Sequence, residues 1–84
     1  MSEDEIKAAL RKFISAELLG DPDYSLRNDE PMITGGLIDS FALAYIAVFI
    51  ETHFGVVIPD PELTAKAFDT VDQIAARIVH EGQR

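Results

Sequence analysis

Residues 35–41 read Gly-Gly-Leu-Ile-Asp-Ser-Phe. They set a hydroxyl, Ser40, where a glycine-rich stretch gives way to a long apolar run. A serine in such a place can be a nucleophile, a helix cap or a point of covalent attachment. A nucleophile needs a base within hydrogen-bond reach. The chain has two histidines, His53 and His80. His53 lies on the same predicted helix as Ser40, about 20 Å further along its axis at the helical rise. Nothing in the sequence brings His80 near, and the surroundings of Ser40 do not form the G-x-S-x-G turn of hydrolases. No catalytic residue is expected, and the chain does not read as an enzyme.

Metal chemistry fares no better. The stretch DPDYSLRNDEPM at 21–32 begins with oxygen ligands at Asp21, Asp23, Ser25 and Asp29. A calcium loop of that spacing needs glycine at its sixth position and glutamate at its twelfth. Those positions hold Leu26 and Met32, and Arg27 adds a positive charge. No metal site is expected. Cysteine is absent, which removes disulfides, thiolate nucleophiles and Cys-ligated zinc.

Capping and attachment remain for Ser40. Aspartate and serine both favour helix starts, and Asp39 can already supply the cap. A hydroxyl just inside a helix start, after a flexible loop, faces solvent. A phosphodiester on it would meet unpaired backbone N–H groups and the positive end of the helix dipole.

The elements that position Ser40 follow from spacing. Ser2 and Glu5 form a capping box before Ile6, Leu10, Phe13, Ile14 and Leu18, which share one helical face. Gly20 and Pro22 mark the end of that helix. Residues 21–39 hold Pro22, Pro31, Gly35 and Gly36 without sustained period and form a long loop, of a length that is usually functional. Leu26, Met32, Ile33, Leu37 and Ile38 are expected to pin it, although it should stay mobile. A second helix is predicted from Ser40 to Phe54 with Asp39 as N-cap, apolar nearly all round and ended by Gly55. Such a helix is central in its bundle or offers a face to something outside. Val56-Val57-Ile58 reads as an extended connector. Asp60-Pro61 reads as N-cap and first helical residue of a short third helix to about Ala67. Thr70 and Gln73 form a second capping box before Val71, Ile74, Ala75, Ile78 and Val79, and Gly82 closes the last helix. The fold class expected is all-α, a four-helix bundle of three longer helices and one short third helix, in a single domain over 1–84.

The chain has 84 residues, a hydrophobic content of 48% and a net charge of −8. That composition supports one small core rather than disorder. No lysine or arginine occurs between Arg27 and Lys66, a window holding Asp29, Glu30, Asp39, Glu51, Asp60 and Glu62. Nucleic-acid binding needs clustered positive charge, so it is not expected. An acidic surface favours basic partners or serves solubility alone. The apolar run Phe41–Ile50 is too short for a membrane span. MSEDEIK places acids where a secretory signal has basic residues. A cytoplasmic protein, monomeric, is the expectation.

The segment GGLIDSFALAYIAVFIETHFGVVIPD resembles the core of acyl carrier and peptidyl carrier proteins, and the helix order matches theirs over nearly the whole chain. In that family an Asp-Ser pair begins the second helix, and the serine carries a 4′-phosphopantetheine arm. Ser40 matches that serine and Asp39 the residue before it. Phe54-Gly55 through Pro59-Asp60 matches the family's Phe-Gly, aliphatic and Pro-Asp run. The resemblance implies a stand-alone carrier that does no chemistry alone. A phosphopantetheinyl transferase would load Ser40 from coenzyme A, and the arm's thiol would hold an acyl or aminoacyl group as a thioester. Loading and downstream biosynthetic enzymes would then take up the cargo, and apolar residues of the bundle would shelter an acyl chain. Asp39, Phe41, Tyr45, Glu51 and Glu62 are the candidate partner contacts.

The sequence departs from the family in two places. Phe41 stands where leucine is usual. Glu51 stands on a second helix that otherwise offers Ala42, Tyr45, Phe49 and His53, which implies a more apolar docking face and a role in specialised metabolism. The alternative is that Tyr45 or Phe49 turns inward against the first helix. The rival reading is a non-catalytic helical interaction module that binds through the second helix, with Ser40 as a cap only.

Overall fold

A computed structural model describes residues 1–82; the last two residues of the 1–84 range lie outside the described residues. Three helices dominate: α1 at Glu3–Phe13, α2 at Ala42–Phe54 and α3 at Val71–Gly82. No strand occurs among the described residues, in line with the all-α expectation.

Helix α1 starts as its sequence dictates. The Ser2 hydroxyl accepts the Glu5 N–H at 3.1 Å, and the Glu5 carboxylate accepts the Ser2 N–H at 2.9 Å. Past Phe13 the backbone widens into a π-helical turn over Ile14–Leu18. Ser15 is buried in this turn, and its hydroxyl donates to the Tyr24 carbonyl at 3.3 Å. A wider turn of this kind commonly marks a local packing demand. Asp21 N–H then closes back onto the Ser15 carbonyl at 2.9 Å.

The core is assembled from one stripe of each helix. Ile6, Leu10 and Ile14 come from the first, Leu43, Ile46 and Ile50 from the second, and Val71, Ile74, Ala75 and Ile78 from the third. Phe68, Ile58 and Met32 fill the space between them. Leu26, Met32 and Ile38 of the long loop are buried, and Ile33 and Leu37 pack partly against the core, as their apolar character predicts.

The loop is nevertheless held more firmly than its composition suggests. Asp69, just before α3, is the main tether. Its carboxylate accepts Ile33 N–H at 2.7 Å, Thr34 N–H at 3.0 Å and the Thr34 hydroxyl at 2.5 Å. Its backbone carbonyl accepts Met32 N–H at 2.8 Å. Asn28 adds a second tether: its carbonyl takes Asp72 N–H at 3.0 Å, and its side-chain oxygen takes Arg11 at 2.5 Å. Gly35 is needed where the loop doubles back, because a Cβ there would run into the Pro31 carbonyl oxygen.

Two expectations need correction. The short third helix is reduced to a 3₁₀ turn, Asp60–Glu62, followed by one hydrogen-bonded turn from Thr64 to Phe68. Pro59 rather than Asp60 precedes the turn, without a side-chain cap. A helix this short gains few hydrogen bonds for the dihedrals it fixes, and the Thr64 hydroxyl takes Ala67 N–H at 3.2 Å locally instead. The second correction concerns the start of α2, which is regular from Ala42 rather than Ser40.

Candidate functional site

Ser40 sits in a tight turn that leads into α2. Ala42, Leu43 and Ala44 donate to the carbonyls of Asp39, Ser40 and Phe41 at 3.1, 3.2 and 3.2 Å. These three-residue closures are the tighter 3₁₀ spacing that helices often adopt at their ends. The Asp39 carboxylate accepts Phe41 N–H at 2.9 Å. Asp39 therefore braces this turn but is not the N-cap expected for α2: the helix begins at Ala42, with Phe41 in the cap position and no side-chain cap bond.

Ser40 is exposed. Among the described residues, neither its hydroxyl nor its N–H has a hydrogen-bond partner. The side chain thus does no capping. A phosphodiester on the hydroxyl would find the unpaired Ser40 N–H next to it at the positive end of a helix. The residues present fit such a group, with the Asp39 carboxylate turned to Phe41 N–H.

The outer face of α2 continues from this turn. Phe41 is 81% exposed, Tyr45 64% and Val48 62%, and Ala44 is exposed between them. The spacing of these residues makes one stripe along the helix. Burial of Ala42, Leu43, Ile46 and Ile50 fixes the rotation of the helix, and so throws the stripe outward. Tyr45 and Phe49, which sequence alone leaves open, separate. Tyr45 points to solvent. Phe49 stacks on Phe13 of α1, with ring centroids 4.2 Å apart and planes 14° from parallel. His53 also stacks on Phe49, with ring centroids 4.4 Å apart.

Glu51 is exposed on α2. Glu62 is exposed as well, but its carboxylate meets Arg77 of α3 at 2.6 Å. Arg77 also holds Glu81 at 2.9 Å, and this pair of carboxylates keeps its guanidinium more firmly protonated than usual. Glu62 thus braces the 3₁₀ turn against α3. The sequence shows an acid at position 62 but not this partner fifteen residues away.

A groove of about 1210 Å³ opens beside Ser40. Its walls are the end of α1 with the π turn, the loop at 33–39 and the face of α2 from Phe41 to His53. Asp39 and Phe41, the two neighbours of Ser40, are among its lining residues; Ser40 itself is not. Sequence reading missed the groove, because its walls come from three separate segments. Among the described residues no helix is long and apolar enough to cross a membrane.

No family model matches the chain. A D-alanyl carrier protein of Lacticaseibacillus rhamnosus is 28% identical to it over 78 residues, which span 93% of this chain and 95% of that protein. Over nearly its full length the chain is thus similar to a stand-alone carrier protein, and its helix order and the solvent-facing serine ahead of α2 agree with that likeness.

Proposed function

We propose that the chain holds an acyl or aminoacyl group as a thioester on a 4′-phosphopantetheine arm attached to Ser40, and presents it to successive enzymes. The observation that carries this reading is Ser40 itself. It is an exposed hydroxyl with no partner among the described residues, set at a helix start that can receive a phosphodiester. The name of the L. rhamnosus relative favours an aminoacyl cargo. The arm would come from coenzyme A through a phosphopantetheinyl transferase. When bound, it supplies the thiol that a cysteine-free chain lacks.

The chain's own part is positional. The core stripe of α2 fixes the helix, the turn at Asp39–Phe41 projects Ser40, and Phe41, Tyr45, Asp39 and Glu51 offer contacts to the transferase and to loading and downstream enzymes. Glu62 could join them only by giving up Arg77. We read residues 1–84 as one carrier domain, monomeric and cytoplasmic, acting in specialised biosynthesis.

The test is intact mass after incubation with coenzyme A, magnesium and a broad-specificity transferase. A single phosphopantetheine addition to the native chain, and none to Ser40→Ala, is the expected result. No addition to a folded chain, with a known carrier labelled in the same tube, would favour a second reading. In that reading the exposed Phe41, Tyr45 and Val48 stripe makes the chain an interaction module that binds a partner helix.

A further inference from the structure

The cations of this acidic protein fall into two groups. Lys7, Arg27 and Arg77 each lie against a carboxylate. Among the described residues, Arg11, Lys12 and Lys66 do not. Lys66 sits in the turn before α3. Arg11 and Lys12 instead share one depression of about 280 Å³ between α1 and the start of the long loop, with Ser15, Tyr24, Ser25 and Leu26 around them. No acid lines it, although 15 of the 84 residues are acids. Asp21 and Asp23 belong to the adjoining loop but lie outside the lining.

The donors around this depression are unspent. Arg11 gives one guanidinium N–H to the Asn28 side-chain oxygen at 2.5 Å, which fixes the fork and leaves its other N–H groups over. Lys12 is exposed and has no partner among the described residues. Ser25 is exposed too, and neither its hydroxyl nor its backbone N–H is bonded among the described residues. Tyr24 does not compete, because its phenol donates to Glu30 at 2.6 Å. Arg11 also borders a second depression that holds Asp29 and Asp72, but those acids are already matched by Arg27 and Lys7.

A tetrahedral oxyanion is the ligand that matches such donors. The guanidinium fork makes charge-assisted bonds to phosphate oxygens, the Lys12 ammonium adds a point charge, and Ser25 offers two donors to the remaining oxygens. A carboxylate, with two oxygens, would leave much of this unused. The volume lies near the lower end of the range for small-molecule sites, which favours a small occupant over a protein surface. The net charge of −8 opposes any anion at long range, so the contacts inside the depression must do the holding.

We propose that this depression binds the phosphate group of a small molecule, free phosphate or a phosphate monoester, through Arg11, Lys12 and Ser25. The site is separate from Ser40. Phe13 lines the groove beside Ser40, and Arg11 stands about 200° around α1 from Phe13. Occupancy of the depression therefore leaves Ser40 open, and the inference does not rest on the carrier reading.

The test uses the full chain, isotopically labelled, at fixed pH and ionic strength. Inorganic phosphate and glycerol phosphate are each titrated in place of chloride, with acetate as the carboxylate control. Backbone amide shifts of Lys12, Ser25 and Leu26 report the site, and that of Lys66 reports non-specific attraction. Both phosphates should saturate the first three residues at concentrations about tenfold or more below acetate, the scale of one added charge-assisted bond. The tighter of the two identifies the source, free phosphate or its ester. Arg11→Gln should weaken phosphate binding about tenfold. Lys12→Gln should weaken it about two- to fivefold, the scale of an exposed charge pair. Lys12 has no partner, so its variant leaves the fold alone, and Lys66→Gln should change nothing. Shifts that grow without saturating, an equal response to acetate, or affinity unchanged in both Arg11→Gln and Lys12→Gln would overturn the proposal. So would saturation by a hexaglutamate peptide but by neither phosphate, which would make the patch a docking face for an acidic protein.

Discussion

Two aspartates stand just before helices in this protein, and they do opposite work. Asp69 precedes α3 and gathers the molecule around itself. Its carboxylate takes three donors from the far loop, and its own N–H goes to Gln73 at 2.8 Å. Gln73 also accepts Thr70 N–H at 3.0 Å and donates to the Lys66 carbonyl at 3.0 Å. Asp39 precedes α2 and makes one local bond, to Phe41 N–H. The start of α3 is thus a structural knot, whereas the start of α2 is left open around Ser40. The proposed carrier role calls for both: a rigid base that fixes the helices, and an exposed attachment point that other enzymes can reach.

The contrast can be broken first at Ser40. Ser40→Ala should abolish loading while moving stability by no more than about 0.5 kcal/mol, the scale of a surface change without partners. Loading is read by mass and stability by urea unfolding. A substantial loss of stability would mean that the hydroxyl is a cap after all.

Next in size is Asp69→Ala. It strands two backbone N–H groups and the Thr34 hydroxyl at the far loop, and should cost about 1–3 kcal/mol. Loading of the folded fraction should stay near the native rate. If loading fell as steeply as stability, the two helix starts would not be separable.

Asp39→Ala removes one exposed bond to Phe41 N–H and should cost about 0.5–1 kcal/mol. Its stability effect is therefore smaller than that of Asp69→Ala. A larger effect would reverse the ranking of the two aspartates.

The smallest effect expected is on pH dependence. Burial works to raise the Asp69 carboxyl, but the bonds from the Thr34 side chain and from Thr34 and Ile33 N–H outweigh it and hold the group below its ordinary value of 3.8. A carboxylate depressed in the folded state contributes stability above its unfolded pKa and loses it as pH falls through the folded one. Unfolding midpoints should therefore drop as pH goes from 5 toward the region below 3.8. In Asp69→Asn that part of the slope should be missing. An unchanged slope would show that other acids carry the acid response.

Much of this architecture was legible from local signals. Both capping boxes, Ser2 with Glu5 and Thr70 with Gln73, are made as spaced. Gly55 ends α2 with φ near 69°, a left-handed turn that favours glycine. The core stripes of α1 and α3 follow their apolar period. The short third helix was misread because Asp60-Pro61 is a start signal, and nothing local says how soon the helix stops. The π turn at Ile14–Leu18 was invisible because it accompanies a bond from Ser15 to Tyr24, nine residues on.

What the sequence determined by itself is therefore what neighbouring residues decide among themselves: where α1 and α3 begin, which stripe is apolar, and that Asp39 braces the turn at Ser40. The tertiary structure alone decided which side of α2 faces outward. That helix is apolar nearly all round, so periodicity cannot choose its buried face; burial in the core shared with α1 and α3 can. The same packing turned Phe49 onto Phe13, left Tyr45 in solvent, fastened the loop to Asp69 and opened the groove next to Ser40. Each of these depends on residues far apart in the chain, whose meeting is a consequence of burying one shared core.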